Sequence, residues 1–355
     1  MPQVGAPRAV RRGGSAKLTR ASSAAVLPLI LALASCTGSN TPSSPTPTPP
    51  PTPTPVASTA GRALDALTDA GAASIAISGD TVVSTTSDAN GNFAVGVTSA
   101  GAPTVGFTGS GFVARTTTVR VPGPAASVSL IPAAFDLRAF DEMFRVSQLL
   151  RWTTAPPLRI QTRTLQFVGV NDSDATALDD EMTDAEYARL VDDLQWALPQ
   201  LTGGRFTAFA SVTRERAEVG ARVPILNTGA ITVARYVGLT QATGYWGYSR
   251  WFFRTDGTIT SGESMLDRDF ERSGSPFLRS LRSHEFGHTL GYNHVTVRAS
   301  VMNAAARIEP NDFDRDASRI AFQRSPGNRT PDVDPGGVSA NSRAPLAGAW
   351  TPAVP

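Results

Sequence analysis

At 355 residues the chain has room for two or three domains, and an apolar fraction of 41% is enough to build cores for them. The formal charge of +2 misleads, because Arg8, Arg11, Arg12, Lys17 and Arg20 all precede the first acidic residue, Asp65; without those five, 27 basic groups face 30 acidic ones. A near-neutral body argues against a nucleic-acid binder of the basic-patch type, and a single cysteine rules out an intramolecular disulfide.

The cationic residues 1–20 are followed by the apolar run AAVLPLILALA, Ala24 to Ala34. About 11 residues is too short for a membrane-spanning helix and fits the core of a signal peptide. Leu33-Ala34-Ser35-Cys36 resembles the bacterial lipobox, which implies removal of residues 1–35 and lipidation of Cys36. From Cys36 to about residue 57 the sequence is rich in Pro and Thr and carries no charge, so it reads as an extended, semi-rigid tether. These features imply export and a lipid anchor in a bacterial membrane. Thr37 stands where inner-membrane retention is associated with Asp, which favours the outer membrane or cell surface.

Residues 58–132 hold short β-type runs (SIAISG, TVVSTTSD, NFAVGV, TVGFTG, FVARTTTVRV) between turn signals, with Asn90-Gly91 as a hairpin signal. The spacing predicts a small antiparallel β-sandwich. The runs TTSDANGNFAVGV and GSGFVARTTTVRV resemble the carboxypeptidase-regulatory-like sandwich, which implies a spacer or binding module without catalysis of its own.

Residues 135–325 form a third region. Thr183-Asp184-Ala185-Glu186 is a capping box, and Tyr187, Leu190, Val191, Leu194 and Leu198 follow at helical spacing until Gly203-Gly204. Strand-like stretches come next, including YWGYSRWFF. NDSDATALDD invites a calcium reading, but an EF-hand loop from Asp172 needs glycine at Ala177 and glutamate at Thr183. An acidic solvated loop is the simpler reading, and calcium has no support. Residues 326–355 are polar and Pro/Gly-rich, the composition of a disordered tail.

All three histidines lie in HEFGHTLGYNH, residues 284–294. Ser275-Pro276 reads as a helix start and Gly291 as its left-handed stop. On that helix His284 and His288 are i and i+4, one face, and the turn at Gly291 lets His294 return as a third ligand. Three imidazoles with an open fourth position are the pattern of a catalytic zinc site. Glu285 points about 100° around the helix and is placed to act as general base and acid. A lone HExxH arises by chance in many helices; the extended HExxHxxGxxH in a chain with three histidines does not.

This segment resembles the metzincin zinc-peptidase signature, and HEFGHTLG is similar to its matrixin branch. Met302, in SVMN eight residues beyond His294, falls where that family has its methionine turn, and NDFDRDASRIAFQR matches its closing helix with Ile320 and Phe322 inward. The resemblance implies an α+β fold: a twisted mixed sheet with an active-site helix and an antiparallel edge strand that binds extended peptides, which we expect within Thr258 to Leu266. It also implies a zinc-dependent endopeptidase acting on proteins or peptides, with His284, His288 and His294 on one Zn2+, Glu285 as catalyst, and Met302 and Gly291 supporting the site. Two departures stand out. Cys36 lies in the lipobox, so the propeptide cysteine that keeps matrixins latent is absent, and no tyrosine closely follows Met302. The expected molecule is a monomeric lipoprotein peptidase that binds no nucleic acid. The alternative is a surface-anchored binding lipoprotein whose zinc domain is catalytically weak.

Overall fold

The computed structural model describes residues 55–224, 229–336 and 350–353. Cys36, the lipobox and most of the tether lie outside the described residues.

Seven strands build the first body: β1 (Ala57–Asp65), β2 (Ala76–Gly79), β3 (Val82–Thr86), β4 (Asn92–Val97), β5 (Thr104–Thr108), β6 (Arg115–Thr118) and β7 (Ala126–Leu130). Alternation sends one face of each strand inward, as with Phe93, Val95 and Val97 of β4. They meet Ile75, Ile77, Val105, Phe107 and Leu130 in an apolar core, with the Phe93 and Phe107 rings 5.5 Å apart. The strands form one continuous sheet, order β6-β5-β2-β3-β4-β1-β7, folded over its own core. Most pairings are antiparallel, as expected. The β1–β7 pair is parallel, because the chain crosses the whole sheet before β7 adds beside β1.

Asp136 then caps α1 (Leu137–Phe144), accepting from Ala139 N at 3.1 Å, and the helix buries Phe140, Met143 and Phe144. The second body contains β8 (Leu158–Gln166), β9 (Asp174–Glu181), α2 (Asp184–Gln200), β10 (Val212–Glu215), β11 (Arg222–Pro224), β12 (Ile231–Val237), α3 (Leu239–Thr243), β13 (Gly247–Phe253), β14 (Ile259–Asp267), α4 (Arg268–Glu271), α5 (Leu278–Thr289), α6 (Asp312–Phe322) and β15 (Trp350–Ala353). The fold class is α+β. Its sheet runs β11-β9-β8-β12-β14-β13-β15, with β10 pairing part of β8. Strands β8, β12 and β14 are parallel, and β13 is antiparallel to β14.

This order corrects one expectation. Residues 258–266 belong mostly to β14, an inner strand between β12 and β13; the antiparallel strand beyond it is β13, the aromatic YWGYSRWFF stretch. Part of NDSDATALDD is likewise the strand β9, whose carboxylates meet arginines, among them Asp179 with Arg163 at 2.9 Å.

Helices α2 and α5 lie against one sheet face. The capping box of α2 forms as the sequence predicts: Thr183 N donates to Glu186 Oε2 at 2.7 Å and Glu186 N to Thr183 Oγ1 at 3.2 Å. Helix α5 begins at Leu278, two residues past the proposed Pro276 start, with Ser275 Oγ accepting from Phe277 N at 3.2 Å instead of capping the helix. Arg282 ties α5 to both neighbours, reaching Asp193 of α2 at 2.7 Å and Glu271 of α4 at 2.5 Å. Close approach to the sheet depends on Gly262: a Cβ there would stand 2.8 Å from Thr289 Cβ.

The expected loose tail does not begin at 326. Asn328 and Asp332 are fully buried: Arg324 grips Asp332 at 2.8 and 2.9 Å, and Asn328 bonds both Asp332 and Asp334. Arg115 of the first sheet pairs with Asp334 at 2.8 Å, and Arg324 also reaches Ser129 Oγ at 2.7 Å. A polar, Pro/Gly-rich segment looks disordered by composition, yet here its carboxylates neutralise arginines that the two bodies bury between them.

Candidate metal centre

Helix α5 carries His284 and His288 on one face, both fully buried. It ends at Thr289, and Gly291 takes φ +94°, a conformation that a Cβ would strain. The chain doubles back there, and Tyr292 fixes the turn: its hydroxyl bonds Leu201 O and, at 3.1 Å, Ser318 Oγ, while its ring packs edge-on against Phe144 at 4.4 Å. His294 thereby arrives beside the other two. His284 Nε2 lies 3.0 Å from His288 Nε2 and 3.3 Å from His294 Nε2. Among the described residues these three form the one group of His, Cys, Asp or Glu side chains placed to hold a metal ion, with ligand atoms all within 4.8 Å.

The donor chemistry fits a cation. His284 Nδ1 is 2.8 Å from Val301 O and His288 Nδ1 is 2.7 Å from Tyr292 O. A carbonyl only accepts, so each Nδ1 carries the proton and each Nε2 turns a lone pair toward the centre. Burial, only partly offset by the Val301 carbonyl, holds His284 down at about 3, and burial and the neighbouring rings hold His288 well below its ordinary value. Burial lowers His294 as well. All three rings are therefore neutral near pH 7, the state a divalent metal requires. The ring of Trp251, fully buried on β13, lies parallel to His288 at 6.0 Å.

Met302 packs against this helix at Gly287. It is fully buried, and a Cβ on Gly287 would come within 2.5 Å of its sulfur. Val295 N donates to Met302 O at 2.9 Å, closing the loop that carries His294. Asp314 of α6 holds this turn from below: Ser300 Oγ donates to it at 2.5 Å and Val301 N at 2.9 Å. Val301 O in turn holds His284, so Asp314 orients that ring through a single residue. Sequence reasoning missed that role. Its signal was the N-x-x-D capping box of Asn311 and Asp314, which the structure forms.

Glu285 is fully buried and faces β13. Ser249 Oγ donates to its Oε2 at 2.6 Å and lies 3.0 Å from its main-chain oxygen. Gly247 makes room for the same carboxylate, since a Cβ there would stand 2.3 Å from Oε1. Both residues were invisible as site components in the sequence, because the strand that brings them was not recognised as the neighbour of α5.

No family model matches the sequence, and a search of the curated proteins finds no match. Among solved structures, the chain is similar to a putative carbohydrate binding protein from Bacteroides uniformis at 17% identity and a TM-score of 0.18, covering 35% of this chain and 51% of that one. It is also similar to the Bacillus anthracis TIE protein at 9% identity and a TM-score of 0.18, covering 59% and 41% respectively. The chain thus spans about half or less of either neighbour, and overlap at this level carries no argument about fold or function.

Proposed function

We propose that this chain is a zinc-dependent endopeptidase of metzincin type, with a metzincin-like sheet and active-site helix. The observation that carries the reading is the convergence of three imidazole nitrogens, those of His284 and His288 on fully buried rings, beside a glutamate hydrogen-bonded by a residue of the neighbouring strand. His284, His288 and His294 would hold the ion, and zinc suits three nitrogen donors with room for one more ligand. When bound, the ion supplies Lewis-acid polarisation of a peptide carbonyl and of a water molecule.

The chain's own residues do the rest. Glu285 takes the proton from the attacking water and returns it to the departing amine. Ser249 fixes the rotamer of that carboxylate, and Gly247 leaves the space it occupies. The outer edge of β13, along which β15 lies, would offer main-chain groups to an extended peptide backbone that takes the place of β15. Cys36 would carry the lipid and the Pro/Thr tether would hold the two bodies off a bacterial membrane surface, with the first body as spacer or binding module.

The test compares casein cleavage by the zinc-loaded chain with that of Glu285→Ala, with bound zinc measured in both. Removing the general base should cost about 10²–10⁴ in rate and leave zinc stoichiometry unchanged. Silence of both proteins toward casein and toward a mixed peptide library, with zinc bound, would instead favour the binding lipoprotein.

A further inference from the structure

The chain's single cysteine, Cys36, lies outside the described residues, and the edge of β13 is not open. Strand β15, Trp350–Ala353, lies antiparallel along it, in the register Gly247 with Ala353, Tyr248 with Pro352, Ser249 with Thr351 and Arg250 with Trp350. Gly247 and Ser249 are the two residues of β13 that touch Glu285. The Cα atoms of β15 and α5 also approach within 8 Å. The chain's own C-terminal segment therefore runs beside the general base, along the edge that an extended substrate would use.

Two backbone observations agree on how it is held. Trp246 O accepts from Asp267 N of β14 at 2.8 Å. In an antiparallel ladder the bonding direction alternates, so Gly247 and Ser249 turn their main-chain groups away from β14 and toward β15. Their partners are Ala353 and Thr351, which have N–H groups to give. Pro352, which has none, falls opposite Tyr248, whose main chain bonds the other way. Proline is tolerated in an outer strand at such a position and not at its neighbours.

We propose that residues 350–353 are a built-in competitor for the peptide-binding edge of β13, keeping the centre closed until another chain displaces them; this rests on the peptidase reading above. Thirteen residues separate Gly336, the last described residue of the body, from Trp350. Covalent connection within one chain raises the local concentration of the segment above that of a free competitor, enough to outcompete weakly bound peptides and to yield to a tight substrate. The segment from Leu346 to Pro355, LAGAWTPAVP, is uncharged, so pairing costs no desolvation of charge.

The test uses the full zinc-loaded chain and its Thr351→Pro variant, which removes one ladder N–H from the tail and nothing from the body. Hydrogen exchange at the Gly247 and Ser249 amides should rise by roughly tenfold or more in the variant. A fluorescent synthetic peptide of sequence LAGAWTPAVP should bind the variant at least about tenfold more tightly than the native chain, whose edge is already taken. Ala353→Pro, at the other bonded position, should act the same way, and an unchanged thermal melt establishes that the body is intact. Unchanged exchange at the two amides, or equal peptide binding by native chain and variants, overturns the proposal. Casein cleavage separates the two ideas: faster cutting by the variants supports both, whereas released amides and tighter peptide binding without any cutting leave the competitor in place and reject the peptidase.

Discussion

The two bodies spend their interiors differently. Residues 57–132 bury valines, isoleucines and phenylalanines around one apolar cluster, and among the described residues no metal-ligand group forms there. The second body buries a larger apolar core and, next to it, Arg282, Asp193, Glu271, Glu285, Asp314 and two imidazoles. Apolar packing tolerates many solutions, whereas a buried polar group is costly unless each partner stands at hydrogen-bond distance. The first body is therefore stable in a way that specifies little chemistry, and the second gives up stability to hold a few atoms in one arrangement.

The largest expected effects break that contrast from both sides. Phe107→Ala in the first body should cost about 3–5 kcal/mol by leaving a cavity. Arg282→Ala should cost a similar amount, about 3–5 kcal/mol, for the opposite reason: Glu271 would stay buried without its cation, and Asp193 would keep only Arg279. Denaturant melts of both variants measure this. Zinc affinity should follow only the second, because Arg282 anchors the ligand-bearing helix and Phe107 does not.

A middle-sized effect sharpens the comparison within the second body. Asp314→Ala removes the group that holds Val301 and, through it, His284, and should weaken zinc binding by about 10–100-fold. Competition with a chromophoric chelator reads it, and Asp314→Asn, which keeps an acceptor for Ser300 and Val301, should recover part of the loss. Gly291→Ala should cost more than the roughly 1 kcal/mol of an ordinary glycine replacement in a helix, because φ there is +94° and the new Cβ would meet Leu150 O at 2.9 Å.

The smallest effect is electrostatic. Although burial works to raise it, the Thr183 N–H, Arg272 and Arg235 hold the Glu186 carboxyl down at about 2, below its ordinary 4.5. A depressed acid stabilises the fold above its unfolded value, and that contribution is lost as pH falls from about 4.5 through about 2. Thermal melts in that window should show the native chain losing more stability than Glu186→Gln; parallel curves would mean the Arg235–Glu186–Arg272 cluster contributes nothing.

Much of the centre was legible because its information is local. The i, i+4 histidines, the turn glycine, the third histidine and Met302 lie within 19 residues, and helix geometry with one left-handed residue brings them together. The capping box of α2 and the buried face of α6 were legible for the same reason. The identity of the strand beside α5 was not. YWGYSRWFF and TITSGESML are both strand-like, and nothing within either says which one the other will enclose. Ser249, Gly247 and Asp314 act across 36, 38 and 30 positions of sequence respectively, beyond any periodic signal.

The sequence by itself determined a helix, its stop and the gathering of three imidazoles that could hold a metal ion, since these depend on spacing along one rigid element and the turn that ends it. Only the tertiary structure decided that Glu285 would be held by β13, that Asp332 and Asp334 would be clasped by arginines from both bodies, and that Trp350–Ala353 would close the edge beside the centre. Strand pairing and buried ion pairing are choices among distant partners of similar local character, and they are settled by which arrangement leaves the fewest polar groups without a partner.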